Sequence, residues 1–184
     1  MLSPDPTPYK DEPGAGVLPG FSLLACTGPE AASFLQAQTM NDLRALAPGQ
    51  WQWNGWLSAK GRLLCLFALW RRAEQDFLLI LPDFPAFELQ PLLQRYVFRS
   101  KLKLAVEENL EVRGEFAASP TDAARNLAIA DGPGWRFDFG GESLGRQLLL
   151  VPRGDGNASD EPGFDAAWLE ADLLLGLPRL DAGQ

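Results

Sequence analysis

Trp51-Gln52-Trp53-Asn54-Gly55-Trp56-Leu57-Ser58-Ala59-Lys60-Gly61-Arg62-Leu63-Leu64-Cys65-Leu66-Phe67-Ala68-Leu69-Trp70 carries the reading of the fold. Over 51–58 bulky and polar side chains alternate. Trp51, Trp53 and Gly55 fall on one side, and Gln52, Asn54 and Trp56 on the other, the period-two pattern of a strand. Residues 62–70 are strongly apolar, as a buried strand requires. The short Ala59-Lys60-Gly61 link reads as a hairpin, with Gly61 free to take positive φ. Ala73-Glu74-Gln75-Asp76 is the next turn, and residues 77–81 make the third strand of a meander.

Working outward, residues 21–26 form a short upstream strand. Thr27-Gly28-Pro29-Glu30 then announces a helix: Thr27 or Gly28 can cap it, Pro29 suits its first turn, and Glu30 suits the positive end of its dipole. Ala31, Phe34, Leu35 and Gln38 share one helical face. Downstream, residues 83–98 read as a second helix with Asp83 as cap and Pro91 as a kink or restart, and residues 101–106 as another strand. The order β-α-β-β-β-α-β predicts an α+β fold with antiparallel sheets packed against helices. The signal weakens after Glu107-Glu108. Strands are expected over 110–116, 135–139 and 147–151, a short helix over 120–127, a polar loop over 153–162, and an amphipathic helix over 164–175 stopped by Gly176 and Pro178. The division is an irregular, proline-rich lead-in over 1–20, a first α+β unit over 21–107 and a smaller one over 108–184.

Composition excludes several chemistries. The chain of 184 residues contains no histidine, so it carries no Ser-His-Asp, Cys-His or His-metal site of its own. Its two cysteines, Cys26 and Cys65, sit in apolar segments and read as core filler in a reducing cytoplasm; without histidine they make no zinc site. Sixteen basic against 24 acidic residues give a net charge of −8, which opposes direct nucleic-acid binding or docking on anionic lipid, a local basic patch excepted. No apolar run is long enough to span a membrane, and no secretory signal opens the chain. Gly140-Gly141-Glu142-Ser143-Leu144-Gly145 fits neither nucleotide-loop spacing and reads as a hairpin turn. Arg95, Arg99, Lys101 and Lys103 form the one dense basic stretch, either a solvated helix end or a seat for a carboxylate.

Four segments in order resemble one family. The run from Thr27 to Leu43, TGPEAASFLQAQTMNDL, is similar to the opening helix and T-N-D turn of the folate-binding YgfZ/GcvT superfamily, which includes the aminomethyltransferase of glycine cleavage. Leu57-Ser58-Ala59-Lys60-Gly61-Arg62 resembles its Lys-Gly-Arg hairpin. Arg95-Tyr96-Val97-Phe98-Arg99-Ser100-Lys101-Leu102 resembles its R-Y-x-x-R-S-K-V segment. Trp168-Leu169-Glu170 through Gly176-Leu177-Pro178-Arg179-Leu180-Asp181 resembles its tryptophan, helix and G-I-P-x-I-D. The resemblance implies two ferredoxin-like, folate-binding α+β units.

It also bears on function. The aminomethyltransferases carry an Asp pair where this chain has Leu64 and Cys65, so the resemblance to the YgfZ branch weighs more. That branch binds tetrahydrofolate and supports iron–sulfur cluster assembly or repair, with indirect effects on tRNA modification. The expected cofactor is therefore tetrahydrofolate or a derivative, without metal, and the expected partners are folate and iron–sulfur assembly or client proteins. The family's K-G-C-Y-x-G-Q-E signature and β-barrel domain are not in these residues, so the chain resembles the N-terminal two-thirds of such a protein. The resemblance places Trp168 and Phe21 against the pterin and Gln38, Asn41 and Asp42 at the central cavity, with Arg99 and Lys101 attracting the glutamate tail. Met40 replaces the threonine of T-N-D. An aminomethyltransferase, or an interaction domain that lost folate, are the alternative readings.

Overall fold

The computed structural model describes residues 15–117, 126–141, 144–154 and 163–177. Two five-stranded sheets, antiparallel at every pairing, and three helices make up the α+β architecture. The strands are β1 (Ala15–Val17), β2 (Ser22–Thr27), β3 (Trp51–Leu57), β4 (Leu63–Ala73), β5 (Asp76–Leu81), β6 (Lys103–Val106), β7 (Leu110–Ala117), β8 (Ile129–Asp131), β9 (Gly134–Asp138) and β10 (Gly145–Pro152). The helices are α1 (Ala31–Gln38), α2 (Ala86–Gln94) and α3 (Phe164–Leu174). The first sheet runs β3-β4-β5-β2-β6 and the second β1-β7-β10-β9-β8.

Alternation along the strands of the first sheet builds two cores. Leu24, Cys26, Cys65, Phe67, Leu69, Phe77, Leu79 and Leu81 pack with Phe34 and Leu35 of α1 and Leu89 and Leu93 of α2. Their neighbours Leu23, Ala25, Ala68, Trp70, Leu78 and Ile80 pack with Val112, Phe137, Leu148 and Leu150 of the second sheet and with Phe164 and Trp168 of α3. Burial of both faces explains why β4 and β5 are almost continuously apolar.

Several expectations are corrected in detail. Residues 15–17 of the irregular lead-in form β1, which pairs with β7 at the edge of the second sheet; the rest of the lead-in up to residue 14 lies outside the described residues. β8 has no apolar signal because all three of its residues are exposed. Most of the helix expected over 120–127 and of the loop over 153–162 lies outside the described residues. α2 is shorter than expected. It starts at Ala86, whose N–H donates to the Ser22 hydroxyl at 2.8 Å, while that hydroxyl donates to the Phe84 carbonyl at 2.9 Å. The cap therefore comes from β2 and not from Asp83. At its other end α2 tightens into turns, Tyr96 N–H bonding Leu93 O and Val97 N–H bonding Gln94 O. α1 has Glu30 at its N-cap, without a side-chain cap bond.

Candidate functional site

The turn after α1 is sewn to β3. Met40 N–H donates to Gly55 O at 3.0 Å, and Asn41 N–H to the side-chain oxygen of Asn54, also at 3.0 Å. The Asn41 amide in return donates to Trp53 O at 2.8 Å. Asn54 is fully buried, and its oxygen also accepts the Gly55 N–H. A buried amide held this way fixes the turn, since losing the acceptor would strand two backbone N–H groups. Gln36 Oε1 accepts Leu43 N–H at 2.8 Å, and Gln52 donates to Asp42 O at 3.1 Å.

Beside the turn lies a cleft of about 370 Å³ lined by Ala45, Leu46, Gln50, Trp51, Gln52, Trp53 and Asn126. Trp51 is buried and meets Trp53 edge-on at 6.1 Å, and Phe139 packs behind both at 4.8 and 5.1 Å. Half-buried Trp53 is the more accessible ring. The exposed Asp42 carboxylate lies below the usual range because the Arg44 side chain and backbone N–H donate to it. An aromatic corner of Trp51 and Trp53, flanked by Gln50, Gln52 and Asn126, suits a planar ligand with a polar rim.

Of the residues singled out in the sequence, Gln38, Asn41 and Asp42 come together at this turn. Phe21 does not join them: it lines a second cleft of about 310 Å³ between the sheets, with Glu107, Glu108, Glu111 and Arg153. Trp168 is buried in the core. Phe164 stacks near it at 6.1 Å, the Arg146 guanidinium lies 4.5 Å from its ring centroid, and α3 holds it against the glycine gap at Gly114. The ring thus offers no open face to a pterin. Arg99 and Lys101 are exposed beyond the N-terminal end of α1, where Lys101 N–H bonds the Glu30 carboxylate. The helix, about 12 Å long, separates them from the turn. Asn54 and Trp53 join the site from β3, and sequence reasoning does not single them out. A polar side chain in the middle of a tryptophan-rich strand is the signal that points to them.

Cys26 and Cys65 are free and buried. Burial foremost, then the charge of Asp76 for Cys26 and of Asp83 for Cys65, pushes both thiols up to about 12. Neither is a nucleophile near neutral pH. Among the described residues no group of three or more His, Cys, Asp or Glu is placed to hold a metal, and no helix is long and apolar enough to cross a membrane.

Over an alignment of 187 residues the chain is 30% identical to the tRNA-modifying protein YgfZ of Vibrio vulnificus, covering 93% of this chain and 55% of that protein. The chain thus spans about half the length of that relative. The crystal structure of the glycine cleavage system aminomethyltransferase T from Bartonella henselae matches with a TM-score of 0.69 and 18% identity, over 89% of this chain and 46% of that one. No family model matches the chain.

Proposed function

From a chain with a YgfZ/GcvT-like fold, we propose a tetrahydrofolate-binding protein that supports iron–sulfur cluster assembly or repair and, through it, tRNA modification. The observation that carries the folate reading is the turn of Asn41 and Asp42, pinned by buried Asn54 beside a cleft walled by Trp51 and Trp53. The pterin lies against Trp53, in place of Trp168, whose ring is covered. Gln50, Gln52 and Asn126, which line the cleft, offer partners for its polar edge, with the turn of Asn41 and Asp42 beside them. The tRNA side of the reading is supported by what the Vibrio relative is called, and the iron–sulfur side by the sequence resemblance.

Aminomethyl transfer is the weaker reading. Where the resemblance calls for two carboxylates, Leu64 packs against the helix-side core and the Cys65 thiol stays protonated up to about 12. Neither side chain can orient an amine or take its proton near neutral pH.

Titration with tetrahydrofolate, followed by tryptophan fluorescence, tests the proposal. Wild type should show saturable quenching. Trp53→Ala should weaken binding about tenfold, a loss of about 1.4 kcal/mol, while Trp168→Phe should leave the affinity unchanged. Absence of quenching in a protein shown by circular dichroism to be folded would remove folate from this cleft.

A further inference from the structure

A second surface is distinct from that cleft. Residues 95–103 read Arg95-Tyr96-Val97-Phe98-Arg99-Ser100-Lys101-Leu102-Lys103, and no carboxylate occurs between Glu88 and Glu107, in a chain whose net charge is −8. Arg95, Arg99, Lys101 and Lys103 are all exposed. So are three aromatic rings: Phe98 at 87%, Phe87 at 68% and Tyr96 at 48%. α2 buries Ala86, Leu89 and Leu93, which turns Phe87, Pro91, Gln94 and Arg95 outward at spacings of i+4, i+7 and i+8. Phe87 and Arg95 are about 12 Å apart along the helix. β6 is an edge strand beside it, tied to α2 by the Gln90 amide donating to Leu104 O at 2.9 Å. Leu104 and Val106 face the helices, so Lys103 lies on the opposite face of the sheet.

The backbone that presents these groups is braced. Phe98 has φ of 44°, the left-handed region that a bulky side chain rarely adopts. Its ring packs on almost nothing, so the conformation serves no core contact. Ser100 N–H closes the turn onto Val97 O at 2.8 Å, and Lys101 N–H is held by the Glu30 carboxylate. Gly28, with φ of 133°, lies so close beneath that a Cβ there would come within 2.4 Å of Lys101 O. Strained residues kept by their surroundings gather at sites that act on something else.

We propose that this surface binds single-stranded nucleic acid, stacking bases on Phe98, Tyr96 and Phe87 and seating phosphates on Arg95, Arg99 and Lys101. Rings alternating with cations are what a single strand requires, since every base has a stacking face and every linkage a charge. Protein interfaces instead gather their rings in a shared apolar centre from which lysine is depleted. Three cations are few for a duplex, and the acidic remainder of the chain confines a strand to this face. The inference is independent of the folate reading, which concerns the other end of α1.

Fluorescence anisotropy with a fluorescein-labelled oligouridylate of about 12 nucleotides tests it. Log K should fall with log salt at a slope of about −2, from about 0.7 per phosphate for three phosphates. Phe98→Ala should weaken binding about fivefold or more, with an unchanged thermal melt. The double variant Arg99→Glu, Lys101→Glu should abolish binding. Failure of the wild type to bind at about 50 mM salt overturns the proposal. So does equal affinity for an oligoglutamate peptide that Phe98→Ala leaves unaltered, which would assign the surface to acidic polypeptides.

Discussion

The two sheets solve the same burial problem differently. The first is covered on both faces, by α1 and α2 on one side and the second sheet on the other, so its strands are filled mainly by apolar side chains, with Asn54 of β3 the buried polar exception. The second packs one face inward and leaves the other to charge. On that outer face Glu111 pairs with Arg113, and Arg136 reaches both Glu115 and Asp131. Its inner face must also admit α3, which it does by subtraction: a Cβ at Gly114 would lie 2.6 Å from the Trp168 ring, and one at Gly16 would lie 2.5 Å from Phe164. One ion pair is buried in this arrangement. Arg146, fully covered, donates to Phe139 O, lies over Trp168 and pairs with Asp172 of α3. The first sheet is held by apolar area, whereas the second depends on single residues that fit one another.

That contrast is most directly broken at Arg146. Replacement by Met removes the guanidinium that pairs with the buried Asp172 carboxylate and should cost about 3–5 kcal/mol, read as a lower midpoint in urea unfolding. Amide exchange should quicken in β7 and β10 well before β4 and β5. Pairing the change with Asp172→Leu should recover most of the loss, because two apolar residues carry no desolvation penalty. If the single variant unfolds no more easily than wild type, the second sheet does not rest on the ion pair.

The next largest effect is expected from Gly114→Ala. The added methyl group must displace Trp168 or shift β7, an overpacking cost of about 1–3 kcal/mol. A matching small-to-large change in the first sheet, Ala68→Val, meets the same class of cost. The two sheets differ in how they relieve it: Gly114→Ala should raise the proteolytic sensitivity of α3, because that helix can move away. Equal protection of α3 in both variants would remove the distinction between a fitted and a merely covered face.

The same contrast explains how much of the molecule is legible in the sequence. In the first unit each strand is a bounded apolar run or, in β3, a clear alternation, so β2 to β6 appear nearly in place, and the hairpin at Gly61, with φ of 77°, follows from its glycine. What local sequence hides is supplied from far away. Ser22 caps α2 across 64 positions, and no reading of residues 83–86 could show that. β1 and β8 are short edge strands whose pairing, not their composition, defines them. At the site, the turn of Asn41 and Asp42 is legible as a motif, but motif identity is silent on exposure. The resemblance sets Trp168 against a pterin, whereas its burial depends on Gly114, a glycine more than fifty residues earlier.

The smallest effect should come from the outer face. Arg136 is about a third exposed and shared between Glu115 and Asp131. Burial alone would lower its pKa, yet the hydrogen bonds it donates to both carboxylates hold it above its ordinary value. Glu115→Gln removes one charge and keeps the shape, and Asp131 remains. Exposed pairs of this kind contribute about 0.2–1 kcal/mol, less in high salt. The variant should therefore sit within that range of wild type in urea unfolding, and the gap should close as salt is raised. A loss as large as that of Arg146→Met would mean that the outer face is not solvated as its exposure indicates, and that something covers the second sheet as fully as the helices cover the first.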